Sequence, residues 1–451
     1  MSKMIFGIDV GGTFTDIVVI ANGKLAIHKL SSTPSDPSTG VIQGVSEISN
    51  GLKPDQSYSD ESTQFVHGST VATNALLEGK GSKTALITTL GFEDVLEIGR
   101  QARSELYDFN LERSPPLAPW ELRFGVSERI DHTGTIIEDL TPESMETLIE
   151  LLNEARVESI AISTLFSFLN PIHENMILDS ISKLANQPYT STSSQILPEF
   201  REYERTSTVV VNSYVGPIMS EYLGRLESSL SSNLRIMQSS GGSITTKLAS
   251  EQPVRTILSG PAGGVVGAFH TGMQAGFPDI ITLDMGGTST DVSLCPGMIK
   301  QTTSATVGGY PIGVPMIEIH TVGAGGGSIA NIDSGGALTV GPESAGADPG
   351  PACYGAGGEH PTVTDANLLL GYLDPKAFLG GRAALDPTLA AKAVRGHVAD
   401  LLSLSTVEAA YGIHQVVSTS MAEGIRVLAA KRGVDPRDFP IIAFGGAAGL
   451  H

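Results

Sequence analysis

Two copies of one short motif, rich in glycine, threonine and aspartate, contain the residues best suited to chemistry. Residues 9–16 read DVGGTFTD and residues 284–291 read DMGGTSTD, with six of eight positions identical at a constant offset of 275 (284 minus 9). Paired glycines turn tightly and present N–H groups to an anion. Threonine hydroxyls add donors, and an aspartate at a strand end suits hydrated Mg²⁺. The repeat predicts two phosphate-binding hairpins that clamp one triphosphate.

A third segment has the composition of a nucleoside contact. Residues 441–449 read IIAFGGAAG, an apolar strand that runs into small residues and lets a flat base or ribose approach the backbone. The GxxxxGK[ST] pattern of a P-loop is absent. The predicted catalytic residues are Asp9, Asp16, Asp284 and Asp291, and Asp9 and Asp284 are also the predicted Mg²⁺ ligands. The predicted ATP-binding residues are Gly11, Gly12, Thr13, Thr15, Gly286, Gly287, Thr288, Thr290, Gly445 and Gly446.

The elements that must position these residues alternate along the chain. Apolar runs bounded by turn residues predict strands, and helical periodicity with capping residues predicts helices. The predicted strands cover 4–10, 17–20, 24–30, 64–66, 84–88, 159–165, 234–238, 280–284 and 441–444. The predicted helices cover 37–48, 70–77, 142–155, 171–184, 203–230 and 405–431, and 203–230 is expected to be amphipathic. This alternation predicts an α/β fold with a mixed or parallel sheet.

Length and composition limit the class of protein. A chain of 451 residues exceeds the roughly 250–300 at which one core stops growing, so two or more domains are expected. The net charge of −20 argues against nucleic acid and an anionic membrane surface as partners. No apolar run approaches the roughly 18 residues of a membrane span, and the N-terminal residues lack the basic region, long apolar run and cleavage site typical of a signal peptide. A cytoplasmic location is the default expectation.

The hairpin, hairpin and late Gly-Gly turn resemble the three-part nucleotide signature of the actin, Hsp70 and sugar-kinase superfold. The expectation is a duplicated ATPase fold with two lobes around a nucleotide cleft. We expect the first lobe to cover residues 1–200 and the second to cover 201–451. Because the chain stops shortly after the strand at 441–444, the second lobe is expected to be incomplete and the sequence to be a fragment.

Longer segments resemble one family, the ATP-dependent hydantoinase A / 5-oxoprolinase family. That family includes the ATP-binding subunits of acetone and acetophenone carboxylases. The matching segments include GIDVGGTFTD (7–16), HGSTVATNALLEGKG (67–81), PEFREYERTSTVVVNSYVGP (198–217), RTILSGPAGGVVGA (255–268) and VGPESAGADPGPACYGAGG (340–358). The resemblance covers nearly the whole chain.

The resemblance implies a reaction, its cofactors and a partner. ATP, with Mg²⁺, would phosphorylate the carbonyl oxygen of a cyclic amide such as 5-oxoproline or a hydantoin, and water would then open the ring. The family divides this work, so a B-type subunit would open the ring and this chain would be the ATP-binding subunit of a hetero-oligomer. We therefore expect residues 1–451 alone not to complete the reaction.

Two further groups of residues have open interpretations. The charged segment at 199–205 is either a solvated, salt-bridged face or a substrate site, and the family match favours the site for Glu202, Tyr203 and Arg205. His67 precedes a predicted helix start and is either a substrate residue or part of a helix cap. In the glycine-rich segment at 323–358 and just beyond it, Asp348, Cys353 and Asp365 lack metal-ligand spacing, so an ordered structural loop is the favoured interpretation.

Three functions remain open at this point. The first is the ATP-dependent cyclic amidase, and the second is the ATP-using subunit of a ketone carboxylase. The third is a non-enzymatic, ATP-gated interaction protein of the Hsp70 or actin type, for which no peptide-binding domain or filament surface is identifiable in the sequence. An ATPase assay against 5-oxoproline, hydantoins, and acetone with bicarbonate would separate them.

Overall fold

The computed structural model describes residues 4–12, 14–21, 23–33, 36–52, 63–102, 107, 113–230, 233–381 and 383–451. Strands and helices alternate in a mixed α/β architecture, as the sequence predicts. The strands are β1 (Met4–Val10), β2 (Phe14–Ala21), β3 (Lys24–Ser31), β4 (Thr63–Ser69), β5 (Thr84–Thr89), β6 (Arg123–Val126), β7 (Arg129–Ile130), β8 (Ile136–Glu138), β9 (Ser159–Ser163), β10 (Tyr189–Thr192), β11 (Leu234–Met237), β12 (Ser243–Thr245), β13 (Asp279–Met285), β14 (Thr290–Pro296), β15 (Gln301–Thr302), β16 (Ala305–Val307), β17 (Tyr310–Ile312), β18 (Met316–Ile317), β19 (His320–Val322), β20 (Ser328–Ile332), β21 (Leu338–Ser344) and β22 (Ile441–Phe444). The helices are α1 (Pro37–Leu52), α2 (Val71–Leu77), α3 (Val95–Ile98), α4 (Pro142–Ala155), α5 (Ile172–Ile181), α6 (Ser193–Ile196), α7 (Glu202–Ser229), α8 (Thr246–Glu251), α9 (Ser259–Gln274), α10 (Val363–Leu369), α11 (Pro387–Val394), α12 (Asp400–Leu402) and α13 (Thr406–Arg432).

The chain forms two compact units. The first comprises residues 1–260 and 301–316, and the second comprises 261–300 and 317–451. These bounds describe packing and do not coincide with the predicted lobe boundary at 200/201, because 201–260 packs within the first unit. The predicted lobe boundary stays a prediction.

Two sheets form the first unit. The six-stranded sheet has the order β12-β11-β4-β1-β2-β3, with β1 antiparallel to β2 and parallel to β4. The four-stranded sheet has the order β10-β9-β5-β6, and all of its pairs are parallel. Each sheet has its own core, and strands such as β5 and β9 are buried along their whole length, as parallel strands covered on both faces are.

Helix α7 is the central element of the first unit. It contacts α1 and α2 as well as β9 and β10, and it is buried continuously from Arg205 to Gly216. The expectation of an amphipathic helix was wrong for this half, because a helix packed on several sides has no solvent-facing stripe. The helix also continues through Pro217.

The second unit repeats part of the strand arrangement of the first. Its four-stranded sheet has the order β19-β14-β13-β22, with β13 antiparallel to β14 and parallel to β22. The order β4-β1-β2-β3 in the first unit has the same directions at every pairing. The eight-residue sequence repeat is therefore part of a repeated strand topology.

Capping residues fix the ends of the long helices where the sequence predicts them. Thr141 accepts the Ser144 N–H at 3.2 Å at the start of α4. Ser405 and Glu408 form a capping box at the start of α13, and Gly433 ends that helix with φ +66°. Among the described residues, no helix combines the length and the apolar character that a membrane span needs.

Candidate nucleotide-binding hairpins and a polar recess

The first hairpin joins β1 to β2 through the turn at Gly11 and Gly12. Asp9 lies opposite Asp16 in the ladder, and the Gly11 N–H donates to the Phe14 carbonyl at 3.0 Å to close the turn. Gly12 is exposed at the tip, while Thr13 lies outside the described residues. Both aspartates therefore lie on one face of the sheet at the turn end of the hairpin.

Backbone crowds the carboxylate of Asp9. A Cβ added to Gly68 on β4, or to Gly260 in the first turn of α9, would lie 3.4 Å from Asp9 Oδ1. Desolvation by the surrounding protein and the charge of Asp16 raise the pKa of Asp9 to about 6, while Lys29 acts to lower it. The protonation of Asp9 therefore depends on its burial and on the charges of Asp16 and Lys29.

Lys29 is a site residue that the sequence analysis missed. Its Nζ donates to both carboxylate oxygens of Asp16, at 2.8 and 2.6 Å, and lies 4.7 Å from the centroid of the Phe14 ring. The position of Lys29 opposite Asp16 could have been found from the length of the predicted hairpin turn. A two-residue loop at 22–23 pairs Ala21 with Lys24, and that register puts Lys29 opposite Asp16.

The second hairpin reproduces this geometry with different neighbours. Asp284 lies opposite Asp291, and the Gly286 N–H donates to the Ser289 carbonyl at 3.0 Å. Thr321 on β19 donates to Asp291 Oδ1 at 2.6 Å. Burial raises the pKa of Asp291, and this hydrogen bond partly opposes the rise.

The late Gly-Gly turn lies beside Asp284. Strand β22 pairs with β13 so that Phe444 is next to Asp284. A Cβ added to Gly445 would lie 2.3 Å from Asp284 Oδ1, and Gly445 has φ +83°, so both space and backbone conformation require glycine here. Gly446 has open space around it. The second unit thus brings together Asp284, the Gly286-Gly287 turn and the Gly445-Gly446 turn.

The loop at 323–328 supports the second hairpin from behind. Gly326 and Gly327 donate their N–H groups to the Gly286 and Gly287 carbonyls at 3.0 and 2.6 Å. A Cβ added to Gly325 would lie 2.6 Å from the Thr288 carbonyl carbon. These glycines allow the backbone of the loop to lie directly against the backbone of the hairpin turn. The loop is therefore ordered, as the sequence predicts.

The threonines of the repeat divide into two groups. Thr288 is exposed at the tip of its hairpin. Thr15 and Thr290 are fully buried, with hydroxyls 3.2 Å from Ser32 Oγ and 2.5 Å from the Ala324 carbonyl. Their expected role as direct phosphate donors is not supported by this geometry, because both side chains point into the core of their unit.

A polar recess in the first unit collects two of the predicted substrate residues. Glu202 and Arg205, in the first turns of α7, line it together with Thr88 and Ser163. Tyr203 is not among the residues that line this recess, and it packs on Gly99, where an added Cβ would lie 3.2 Å from its Cζ. Part of the charged segment is also a salt-bridged face, because Arg100 and Glu204 form a two-pronged pair at 2.8 and 2.5 Å.

His67 is not part of that group. Its ring is fully buried, with Nε2 2.7 Å from the Tyr222 hydroxyl and Nδ1 3.3 Å from the Ile8 carbonyl. Burial lowers the pKa of His67 to about 4, against the opposing effect of the Ile8 carbonyl, so the ring is neutral at pH 7. Two protein partners and full burial fit a structural role.

The carboxylates best suited to bind a metal ion are those of the hairpin aspartates, and they do not form a complete set of protein ligands. Among the described residues, no group of three or more His, Cys, Asp or Glu side chains could enclose an ion. Asp365 is fully buried and accepts the N–H groups of Ala352, Cys353 and Thr362, as expected for a structural loop. Mg²⁺ usually takes one or two carboxylates, waters and substrate phosphates, a donor set that fits Asp9 or Asp284.

Comparison with known proteins gives the class to which this fold and these hairpins belong. Residues 5–185 match the hydantoinase/oxoprolinase N-terminal region, and residues 205–451 match the hydantoinase/oxoprolinase family model. The chain belongs to the hydantoinase/oxoprolinase family.

Particular relatives span different activities. The chain is 40% identical to caprolactamase subunit alpha of Pseudomonas jessenii, covering 100% of this chain and 66% of the relative. It is 33% identical to 5-oxoprolinase 1 of Arabidopsis thaliana, over 100% of this chain and 39% of the relative. The ATP-dependent caprolactamase crystal structure matches with a TM-score of 0.85 at 40% identity, over 99% of this chain and 66% of that chain. The nucleotide-free acetone carboxylase structure matches with a TM-score of 0.85 at 30% identity, over 100% and 66%.

The chain spans about two thirds of the length of the caprolactamase and acetone carboxylase chains that it matches. The shared part includes both repeated hairpins, because the matches cover essentially all of this sequence.

Proposed function

We propose that this chain is the ATP-binding, carbonyl-phosphorylating component of an enzyme that opens cyclic amides. Both hairpins would bind the phosphates of one ATP, and the Gly445-Gly446 turn would lie near the nucleoside. The proposal includes the assignment to the duplicated actin, Hsp70 and sugar-kinase type of ATPase fold, with 1–200 and 201–451 as its lobes. A small cyclic amide of the 5-oxoproline, hydantoin or caprolactam type is the proposed substrate class.

The observation that carries the proposal is the duplication. Each hairpin has an aspartate pair in register, a Gly-Gly turn closed by the same hydrogen bond, and the same two neighbouring strand directions. The turn glycines and Asp9 and Asp284 occupy equivalent positions in the two hairpins. Relatives named as an ATP-dependent caprolactamase and as 5-oxoprolinases support a nucleotide as the shared ligand.

The chemistry requires little covalent participation from the protein. The carbonyl oxygen of the ring attacks the γ-phosphorus, the bond from that phosphorus to the β,γ-bridging oxygen breaks, and ADP leaves. The ring nitrogen loses its proton, which gives an O-phosphorylated cyclic imidate. Such transfers depend on positioning and on stabilising the charge of the transferred group. The Gly11 and Gly286 N–H groups close the turns, so in this scheme the exposed turn tips at Gly12 and Gly287 hold the phosphate oxygens. Asp9 and Asp284 orient the hydrated cation.

Mg²⁺ fits the carboxylates of Asp9 and Asp284, and when bound it would neutralise charge on the phosphates. Water would then open the activated ring. We assign this ring-opening step to a B-type partner subunit. The proposal includes a hetero-oligomer, because relatives such as caprolactamase subunit alpha and the acetone carboxylase beta subunit are named as subunits.

The test of this function is the loss of ring-dependent ADP formation in Asp284→Asn. We expect a decrease of about a hundredfold or more, on the scale of one lost preorganised transition-state contact. Asp279→Asn is the matched control, because Asp279 is exposed on the same strand β13. Near wild-type activity in Asp284→Asn, or an equal loss in both variants, would contradict the role of Asp284.

A ketone carboxylase subunit is the second candidate function. The observation that favours it is the match to the acetone carboxylase structure over the whole of this chain. The same assay decides between the two: ADP formation that requires acetone and bicarbonate, and not a cyclic amide, would select the carboxylase.

A further inference from the structure

Two histidine rings outside the hairpins lie side by side in the second unit. The ring centroids of His360 and His397 are 5.1 Å apart, and the ring planes are inclined by 58°. His360 is exposed and His397 is half-buried, so solvent reaches the pair. The proposed phosphoryl transfer uses neither residue, although imidazole is a common metal ligand.

The separation of the two rings matches that of two imidazoles on one tetrahedral ion. With a Zn²⁺–N bond of about 2.0–2.1 Å and a ring centroid about 1.1 Å behind the nitrogen, each centroid lies about 3.2 Å from the ion. Two such centroids at the tetrahedral angle are about 5.2 Å apart, against the 5.1 Å observed for this pair. The rings therefore need almost no change in separation to share one ion.

The second ring nitrogen of His397 is hydrogen-bonded as it is in most histidines that bind a metal ion. Its Nδ1 lies 3.1 Å from the Ala393 carbonyl oxygen, which can only accept a hydrogen bond, so Nδ1 carries the proton. Nε2 then has a free lone pair, as in a neutral imidazole that binds a metal ion. A carbonyl acceptor on the opposite nitrogen also fixes the ring orientation and raises the basicity of the ligand.

The ring nitrogens of His360 are available. In the part of the chain that the structure describes, neither nitrogen has a hydrogen-bond or ion-pair partner, and the ring packs against that of His397. Because the side chain is exposed, it can turn either nitrogen towards an ion that His397 also binds.

The backbone that carries His360 is well anchored. His360 precedes Pro361, whose carbonyl oxygen accepts the Ala330 N–H at 2.9 Å. Thr362 follows and forms the capping box at the start of α10. Only the side chain of His360 therefore needs to be ordered when an ion binds.

His397 lies in the middle of a π-helical turn. This turn, Arg395–Ala399, connects α11 to α12, and its Val398 and Ala399 belong to the main hydrophobic core of the second unit. Single π-helical turns are rare and occur frequently at functional sites. The turn holds His397 on a rigid support beside the segment that carries His360.

The donor set selects the class of ion. Imidazole nitrogen suits Zn²⁺, Cu²⁺ and Ni²⁺, whereas Mg²⁺ is bound through oxygen ligands. Among the described residues, no third His, Cys, Asp or Glu side chain completes a set of protein ligands. Water, or a donor from another molecule, would take the remaining positions, as at other metal sites that keep an open position.

We propose that His360 and His397 form a surface site for one divalent transition-metal ion of the Zn²⁺ type, bound through one ring nitrogen of each. The site differs in ligand chemistry from the proposed Mg²⁺ site at the hairpin aspartates, and it does not depend on the proposed function. When occupied, it would join the segment before α10 to the turn between α11 and α12.

The test is isothermal titration calorimetry of the chain with Zn²⁺ near neutral pH, without a polyhistidine tag that would bind the same ion. We expect one tightly bound ion per chain that excess Mg²⁺ does not displace. His360→Gln and His397→Gln should each weaken this binding at least about tenfold, which corresponds to about 1.4 kcal/mol. His270→Gln is the matched control, because His270 is an exposed histidine on α9 in the same unit, and it should bind Zn²⁺ as the wild type does.

Electron paramagnetic resonance with Cu²⁺ gives a readout of the ligands themselves. The wild-type complex should show coupling to two imidazole nitrogens, and the complex of either single variant should show coupling to one at most. Coupling to two nitrogens that persists in His360→Gln or His397→Gln would overturn the proposal.

The calorimetric result can also overturn it. If the wild-type chain binds no Zn²⁺, the contact between the rings is packing alone. Zn²⁺ binding that is unchanged in either variant, or reduced equally in His270→Gln, would show that the ion is not shared by this pair.

Discussion

At the residue scale, the two hairpins differ in the residue that faces their second aspartate. The third strand places Lys29 opposite Asp16 in the first unit and Thr321 opposite Asp291 in the second. The first hairpin therefore carries a cation against its aspartate pair, whereas burial raises the pKa of Asp291 in the second. We therefore attribute different roles to the two hairpins. In the first, Lys29 is a positioning residue whose positive charge offsets the repulsion between the carboxylates of Asp9 and Asp16.

Lys29→Met should destabilise the protein more at high pH than at low pH. Without the cation, Asp9 and Asp16 face each other as like charges at pH 8, which costs up to about 1 kcal/mol. At pH 5 Asp9, with a pKa of about 6, is mostly protonated and the repulsion fades. Urea unfolding at both pH values measures this, and Lys24→Met, exposed on the same strand, should change stability by less than about 0.5 kcal/mol. A pH-independent cost would contradict the charge argument.

His67 should make the fold sensitive to acid. The buried ring has a pKa of about 4, whereas an exposed histidine has a pKa of about 6.5, so the unfolded chain takes up the proton first as pH falls between these values. Folding stability should therefore decrease on acidification through that window, by about 3 kcal/mol in total. His67→Gln should remove this decrease in urea unfolding at pH 7.5 and 4.5. The exposed His270→Gln should retain it, and an equal decrease in both variants would contradict the assignment.

The burial of the repeat threonines could be predicted from the alternation of residues along the strands, although the motif by itself does not show it. Strand alternation puts Thr15 on the same face as Ile17 and Val19, and Thr290 on the same face as Val292, so their burial follows from period two. The aspartates fall on the opposite face in both hairpins. By contrast, the contact between Tyr203 and Gly99 could not be predicted, because it depends on tertiary packing.

At the element scale, the second hairpin depends on the loop at 323–328. Gly325→Ala should displace the Gly286-Gly287 turn, because the new Cβ would lie 2.6–2.7 Å from backbone atoms of Gly287 and Thr288. We expect ATP to bind at least about tenfold more weakly, which corresponds to about 1.4 kcal/mol. Gly323→Ala in the same loop is the control, since its Cβ would meet Pro342 at an ordinary 3.4 Å. Unchanged ATP affinity in Gly325→Ala, with the wild-type Tm, would show that the loop does not position the hairpin.

Local signals explain why most elements could be predicted. The caps of α4 and α13, the hairpin turns and the apolar runs all act over a few residues, and the structure confirms those elements within a few residues of their predicted ends. Helix α7 was predicted at the correct position, but the burial of its first half was not predicted. Its buried half carries Thr206, Ser207, Thr208, Asn212 and Ser213, whose partners lie on distant strands and loops, so no local pattern identifies that half as buried.

At the scale of the whole molecule, the repeat relates two units of different size. Only the four-strand arrangement around each hairpin is common to both, and the first unit adds the parallel sheet with the polar recess. The repeated pair of hairpins could be predicted, because an eight-residue repeat with a constant offset is present in the sequence. The packing boundary at 260/261 could not, because it depends on which strands α7 and the segment at 234–260 contact.

Positional isotope exchange would detect the proposed phosphoryl transfer from ATP to a ring, even when the transfer is reversed before product release. ATP labelled with ¹⁸O in the β,γ-bridge is incubated with Mg²⁺ and the chain, with and without 5-oxoproline or caprolactam. Reversible transfer to the ring frees the β-phosphoryl group of ADP to rotate, so we expect label in the β-nonbridging positions only when the cyclic amide is present. We also expect no exchange in Asp284→Asn. Equal exchange with and without the ring, or no exchange with the ring although ATP is bound, would contradict phosphoryl transfer to the ring.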